Sequence, residues 1–481
     1  MPGGDRRGYG WCVPSLRIHP PTEELRLGLD RIRAEFEIPA GFLSPVEEEA
    51  AAAAAASPGG GDRRDARELS LLTIDPPGSR DLDQAYGAER LPAGYRVHYA
   101  IADVAAFVAP GGAVDAEAWA RGQTVYMPDH RARLYPTVLS EGVSSLLPDA
   151  DRAALLWTID VDDQGEVVDS RLERAVVRSR RQLTYADAQA ELDGGGAEES
   201  LVILREVGLH RERIERERGG ISLNVPTRRV TATPEGYRFA TETVYPVEGW
   251  NAQISLLAGH CAAAIMADGG VGLLRTLPPV SPELEAKLRR VAEALDVDWS
   301  ADASLAEVVR TQDGSTAQSA AFLTQATRAL RGASYAVVDG PGVPHGGLAM
   351  LYAHVTAPLR RLADRHANEV VVALCAGGTP PAWATDVLTA LPEAMADADR
   401  RADAVEAAVL NLAEAVVMSD KAGRTFDAVV IDVAKGRATV QISDPPVVAK
   451  MEAGALELGE RIRVRLTAVD AVARTVEFET A

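Results

Sequence analysis

Strand-like and helical patterns fall into separate blocks along this chain, and that segregation limits the folds open to it. From 69 to about 177 the runs "LSLLTID", "YRVHYAIADVAAFV", "ALLWTIDVD" and "VVDSRLERAVVRS" are β-prone, with turn signals "PPG", "PGG" and "DDQG" between them. Alanine- and leucine-rich helical stretches then occupy roughly 250–270, 281–296, 316–332, 357–376 and 384–418. After residue 420 short strands return: "TFDAVVIDVA", "RATVQIS", "VVAKM", "RIRVRLTAVD" and "TVEFET". That tail fits a five-stranded barrel of the OB type. Upstream, "PPTEELRLGLDRIRAEFEI" (20–38) predicts a helix capped by Thr22, with Glu23 and Glu24 at its positive end. Leu25, Leu29, Ile32 and Phe36 give it one apolar stripe. An alanine tract (50–56) runs into "SPGGGDRRD" (57–65), a linker signature. The expected layout is a helical segment and linker over 1–66, a mixed α/β (α+β) domain over 67–416 and a barrel over 417–481. Within the middle block, "RERIERERGG" (211–220) reads as a charged helix with a solvated face, ending at glycines.

Charge and composition narrow the function. A net charge of −20 excludes a protein that coats nucleic acid through bulk positive charge, while leaving room for a local basic channel. Only four of the 50 basic residues are lysine. Arginine's planar fork suits phosphate, and a general composition bias gives the same skew. Cys12, Cys261 and Cys375 lack paired spacing, so neither a disulfide framework nor a zinc site is expected. The start, "MPGGDRRGYGWC", has no apolar core of a secretory signal. The longest apolar run, "ISLLAGHCAAAIMA" (254–267), falls short of the ~20 residues of a membrane span. A soluble, cytoplasmic protein with no membrane partner is the expectation.

Two segments carry chemistry. "TIDPPGSRDLDQA" (73–85) crowds Asp75, Asp81 and Asp83. Cleaving a phosphodiester requires neutralised phosphate oxygens, a nucleophile made from water and a stabilised leaving alkoxide, which two magnesium ions can supply. Magnesium prefers oxygen ligands and keeps several waters, so a few carboxylates suffice. Pro76 and Pro77 stiffen the backbone, and Gly78 permits a turn that returns Asp75 towards Asp81 and Asp83. An extended segment puts the latter two on one face. A solvated acidic loop is the alternative. An EF-hand is excluded, because its fixed glycine and terminal Glu are missing.

The second segment is "HVTAPLRRLADRHANEVVVAL" (354–374). Thr356 and Pro358 suit a helix start there. Arg360 and Arg361 would then lie at the positive end of the helix, where only an incoming anion such as phosphate relieves them. The alternative pairs Arg360 with Asp364 and leaves Arg361 exposed. His345 and His354, without partners at ligand spacing, read as polar packing.

Together these motifs resemble the ribonuclease II family, whose catalytic domain is called RNB. Its first signature, TIDP followed by D-x-DDA, matches "TIDPPGSRDLDQA". Its second, Y-x-H-x-T-S-P-I-R-R-Y-x-D, matches "YAHVTAPLRRLAD" (352–364). "YAIADVAAFV", "VDAEAWARGQTVYMPDHRARLYPTVLSEGVSSLLPDADRAAL" and "RSRRQLTYADAQ" follow the family's order between them, so the resemblance covers about 66–416. It implies an RNB-type catalytic domain followed by the family's terminal OB module. The implied activity is processive 3′-to-5′ hydrolysis of single-stranded RNA to nucleoside 5′-monophosphates, with magnesium or, alternatively, manganese, in a protein expected to be a monomer. By position, Asp75, Asp81 and Asp83 are implied as metal-binding and catalytic carboxylates. Arg360 is implied to steady the scissile phosphate, a role apt for a fixed charge aimed at developing negative charge. Arg361 and Gln84 join it at the substrate. Tyr126 and Tyr185 match tyrosines that contact the 3′-terminal nucleotides, where stacking needs no sequence.

The chain departs from the family pattern at several places. Gln84 stands where a fourth aspartate is usual and brings no charge; with the rest of the cluster intact, the expectation is a weakened second metal site with activity retained. Leu223 in "GGISLNVP" (219–226) replaces a frequent aromatic clamp. In "WNAQISLLAG" (250–259), Asn251 and Gln253 replace acidic residues. The family's cold-shock barrels have no place in the first 65 residues. Phe426 and Phe478 are the tail strands' aromatics, which suits packing more than RNA binding. The rival expectation is a catalytically weakened or inactive RNA-binding protein of the same fold. A phosphodiesterase acting on small nucleotides or DNA is a third reading, separable by the 2′-hydroxyl.

Overall fold

A computed structural model describes residues 16–18, 23–56, 58, 62–222, 228–233, 236–241, 244–312, 316–442 and 444–481. The central sheet uses six strands: β1 (Arg64–Asp65), β2 (Leu71–Ile74), β3 (Gln84–Leu91), β4 (Gly94–Ala102), β5 (Asp151–Val161) and β6 (Val167–Leu183). Neighbours from β2 to β6 pair antiparallel in chain order through β3, β4 and β5. The long β6 also runs parallel to β1 and β2, so the sheet closes on itself. Alternation along the strands sorts their side chains to two faces. Tyr99, Ile101, Trp157 and Ile159 pack with helices Glu199–Glu217, Pro246–Gly269 and Leu362–Cys375. Ala100, Ala102, Leu156 and Val177 pack with Ser44–Ala55 and Ala113–Arg121.

Several local expectations shift. "YRVHYAIADVAAFV" is a strand only to Ala102, where Asp103 caps a short 3-10 turn by accepting the Ala106 N–H at 3.2 Å. The stretch read as strand-like also contains the helix Ala113–Arg121, ended by Gly122 at φ +69, and a small hairpin of Val125–Tyr126 and Arg131–Ala132. The charged helix Glu199–Glu217 buries Arg211 and Glu215, so its polar face is only partly solvated. The helix expected over 357–376 begins at Leu362. Residues before it turn back on themselves, with the Arg360 and Arg361 amides both donating to the Ala357 carbonyl at 3.2 and 3.0 Å. Asp364 holds that turn out of the helix by accepting the Ala357 N–H at 2.8 Å.

The N-terminal helix Glu23–Glu35 buries Leu25, Leu29 and Ile32 against Leu391–Met418; its proposed cap, Thr22, lies outside the described residues. Gly28 passes so close to Leu412 that a Cβ would fall 2.6 Å from Cδ2. The tail forms five strands, Thr425–Ala434, Arg437–Ile442, Val448–Glu452, Arg461–Asp470 and Thr475–Thr480, in spatial order third, second, first, fourth, fifth. This is a nearly closed, OB-like barrel. Phe426 and Phe478 meet edge-to-face at 6.3 Å within its core cluster, as packing residues should. Lys287 and Arg328 both bind Asp432, joining the barrel to the helical block. Among the described residues, no helix is long and apolar enough to cross a membrane.

Candidate active site

β2 delivers Asp75 at its end, where the Asp75 amide donates to the Leu183 carbonyl at 3.0 Å. The chain then turns at Pro76–Ser79, closed by a 3.2 Å bond from the Ser79 amide to the Pro76 carbonyl, with Gly78 at φ +78. An L side chain is strained in that left-handed region, which is why glycine suits the turn. Leu82 is fully buried, with its N–H on Ser145 Oγ at 2.9 Å and its carbonyl accepting from the Leu146 amide at 3.0 Å. Anchored by Leu82, the segment leads Asp81 and Asp83 into β3.

Each carboxylate has a different neighbourhood. Asp83 accepts the Leu359 N–H at 2.8 Å and Arg360 Nε at 3.1 Å, both from the turn before the helix Leu362–Cys375. Asp81 accepts from Tyr126 Oη and Arg131 Nη1, each at 3.3 Å, and the Arg131 guanidinium lies 5.9 Å from the Tyr126 ring centroid. Burial pushes Asp75 up to about 7, reinforced by the charges of Asp83 and Asp81. Burial also pushes Asp83 up to about 7, against the opposing pull of Arg360 and the Leu359 amide. The three aspartates therefore share one electrostatic site.

The other predicted residues divide around that site. Gln84 opens β3; its Nε2 donates to the Thr356 carbonyl at 2.5 Å, and its Oε1 accepts from Tyr99 Oη at 2.7 Å. Tyr185 starts the helix Tyr185–Asp193 and is buried, with its hydroxyl held well above the usual phenol range by burial, then by Asp75; Asn251 supplies a hydrogen bond. Tyr126 is half-buried. Arg361 points away from the aspartates, into a buried two-pronged pair with Asp364 at 3.0 and 2.8 Å. The pairing of Arg360 with Asp364, offered as an alternative, is replaced by this one. Gln253 is bonded to Glu215, and Leu223 lies outside the described residues. His345 and His354 are packing residues: His354 Nδ1 meets Tyr335 Oη at 2.7 Å, and burial lowers both imidazoles, His345 to about 4.

Sequence reading missed Arg131, Tyr99, Ser255 and the Leu359 amide. Tyr99 lies in a run whose strand period was readable, but its partner Gln84 comes from the adjacent strand through antiparallel pairing. Arg131 follows the "PD" turn of a hairpin that was not foreseen. Backbone amides such as Leu359 leave no signal.

Among the described residues, no three His, Cys, Asp or Glu side chains come together closely enough to form a metal cage. Magnesium needs less, since it binds through one or two carboxylates completed by waters and substrate phosphates. Asp75 and Asp83 fit that demand: both are oxygen donors whose charged forms are penalised by burial, a penalty a divalent cation removes.

Comparison with known proteins follows the same architecture. The RNB domain matches residues 63–376, and the RNase II-type exonuclease C-terminal S1 domain matches residues 424–481. The Arabidopsis thaliana exosome complex exonuclease RRP44 homolog A is 30% identical over 330 residues, which is 65% of this chain and 35% of that protein. A protein named inactive exonuclease DIS3L2, from the same plant, is 30% identical over 355 residues, covering 63% of this chain and 32% of its own length. The chain thus spans about a third of the length of these relatives. The structure of Mycoplasma genitalium RNase R in complex with ribose methylated single-stranded RNA shares the fold, with a TM-score of 0.82 at 17% identity over 95% of this chain and 78% of that one.

Proposed function

The chain belongs to the RNB domain family, and from that premise we propose that it is a 3′-to-5′ exoribonuclease. It hydrolyses single-stranded RNA processively to nucleoside 5′-monophosphates, with magnesium as cofactor and manganese as a substitute. One observation carries the reading: Asp83 and Arg360, residues 277 positions apart, meet at 3.1 Å beside Asp75 and Asp81. Arg360 offers a fixed positive charge where negative charge develops on the phosphate, in a buried setting where such charges act strongly. Asp83 orients that guanidinium and fixes the Leu359 amide. Asp75 and Asp83 would hold magnesium, with Asp81 at the rim, and the ion would supply charge neutralisation and an activated water. Tyr126 stacks on a terminal base, and Arg131 steadies Asp81.

A second reading, RNA binding without hydrolysis, is favoured by the neutral Gln84 and by a relative named inactive. Digesting 3′-labelled and 5′-labelled RNA with magnesium separates the two. Release of labelled mononucleotide at once from the 3′ label, and only at the end from the 5′ label, supports the exonuclease. Intact, tightly bound RNA supports the second reading. Asp83→Asn serves as the control that abolishes cleavage while keeping RNA affinity, and DNA of equal sequence tests the preference for RNA.

A further inference from the structure

We propose that Gln84 is a positioning residue, a neutral tie between the acidic strand and the turn that carries Leu359 and Arg360, rather than a member of a cation's shell. This rests on the reading that those groups act on a phosphodiester. Both ends of the Gln84 amide are engaged. Nε2 donates to the Thr356 carbonyl at 2.5 Å. Oε1 accepts from Tyr99 Oη at 2.7 Å and lies 3.5 Å from Ser255 Oγ, while Tyr99 Oη and Ser255 Oγ are 2.6 Å apart. Burial raises the Tyr99 phenol far above neutrality, so its hydroxyl keeps the proton it donates. One side chain thereby links β3, β4, the helix Pro246–Gly269 and the turn.

The chemistry of the position demands an amide. A donor is needed towards Thr356 and an acceptor towards Tyr99, and a carboxylate offers acceptors only. Glutamate there would face the Thr356 carbonyl with a second oxygen and add a negative charge next to aspartates already disfavoured as anions. Aspartate is also one methylene too short. The turn's other ties run elsewhere: Asn368 Nδ2 donates to the Val355 carbonyl at 2.8 Å, Asp364 takes the Ala357 amide, and the Thr124 amide donates to the Arg360 carbonyl at 3.0 Å. Those bonds attach the turn to its own helix and to the segment after Gly122. Gln84 adds a side-chain tie from the residue next to Asp83, so losing it lets Leu359 and Arg360 shift against the carboxylate they hold.

The test uses the full chain and four variants: Gln84→Met, which keeps length without hydrogen bonds, Gln84→Asp, Arg360→Ala, and Gln84→Met with Arg360→Ala. Tyr99→Phe provides a milder cut of the same tie should Gln84→Met fail to fold. Single-turnover hydrolysis at saturating single-stranded RNA should slow about tenfold in Gln84→Met, within the cost of a ~1 Å misplacement. RNA affinity should stay within about twofold, a loss confined to the chemical step. In the Arg360→Ala background the further loss should shrink below about threefold, because the two residues act through one contact. Gln84→Asp should leave the magnesium dependence where it is. Hydrogen exchange of residues 355–361 should quicken in Gln84→Met. Multiplicative losses in the double variant would overturn the tie, as would a Gln84→Asp protein that needs less magnesium. If the parent chain hydrolyses no RNA, the proposed function fails, and unchanged exchange at 355–361 would separately sink the positioning role.

Discussion

Replacing Asp75 by Asn in the metal-free protein should remove a pH-dependent weakness built into the acidic loop. Asp75 rises from 3.8 to about 7 through burial, then through Asp83 and Asp81. Its folded value lies above its unfolded one, so the folded protein binds the extra proton more tightly. The resulting stability is fully present below about pH 4 and is lost as pH climbs through about 7. A rise of that size corresponds to about 4 kcal/mol for the single group. Asp83 is coupled to it, so the pair loses its protons in two steps spread across that window. The net charge of −20 also weakens the folded chain at higher pH, but nearly equally in both proteins. The informative quantity is therefore the difference in Tm between Asp75→Asn and the parent in EDTA. That difference should be near zero at pH 3.5 and should favour the variant by roughly 10 °C at pH 7.5, on the scale of ~2–4 °C per kcal/mol for a large domain. Magnesium at pH 7.5 should raise the parent's Tm and close the gap. A difference that stays flat with pH, or a variant that melts lower at pH 7.5, would refute the electrostatic account.

Arg360 and Arg361 should fail in different ways. Arg360→Ala should slow single-turnover hydrolysis by ~10²-fold or more with little change in RNA affinity. Arg361→Ala leaves Asp364 fully buried without its guanidinium and should cost ~3–5 kcal/mol of stability; equal activity losses at matched folded fraction would contradict the division. Tyr126→Phe, which keeps the ring and loses the 3.3 Å bond to Asp81, should bind RNA nearly as the parent does. Tyr126→Ala should lose ~1–3 kcal/mol of affinity for a 3′-terminal stack, read by titration with short RNAs.

What the sequence conveyed, and what it withheld, follows from the range of each interaction. The tail strands were readable to the residue at Thr425–Ala434 and Arg461–Asp470, because alternation and turn residues are local signals. The start of the helix at Leu362 was misplaced because "TAP" looks like a local cap, whereas Asp364 and a bridge between Arg361 and Gln123 keep those residues outside it. Asp75, Asp81 and Asp83 could be nominated together since a dozen positions contain them. No spacing rule joins Asp83 to Arg360. The neighbours Arg360 and Arg361 make the point most sharply: same residue type, same motif, yet one meets the acidic loop and the other a buried aspartate. Asp83 and Gln84 divide likewise, one towards Arg360 and one towards Thr356. In each pair the local sequence proposes candidates of equal standing, and only a partner distant along the chain assigns the role. That is why the test of this site lies in variants that separate adjacent residues.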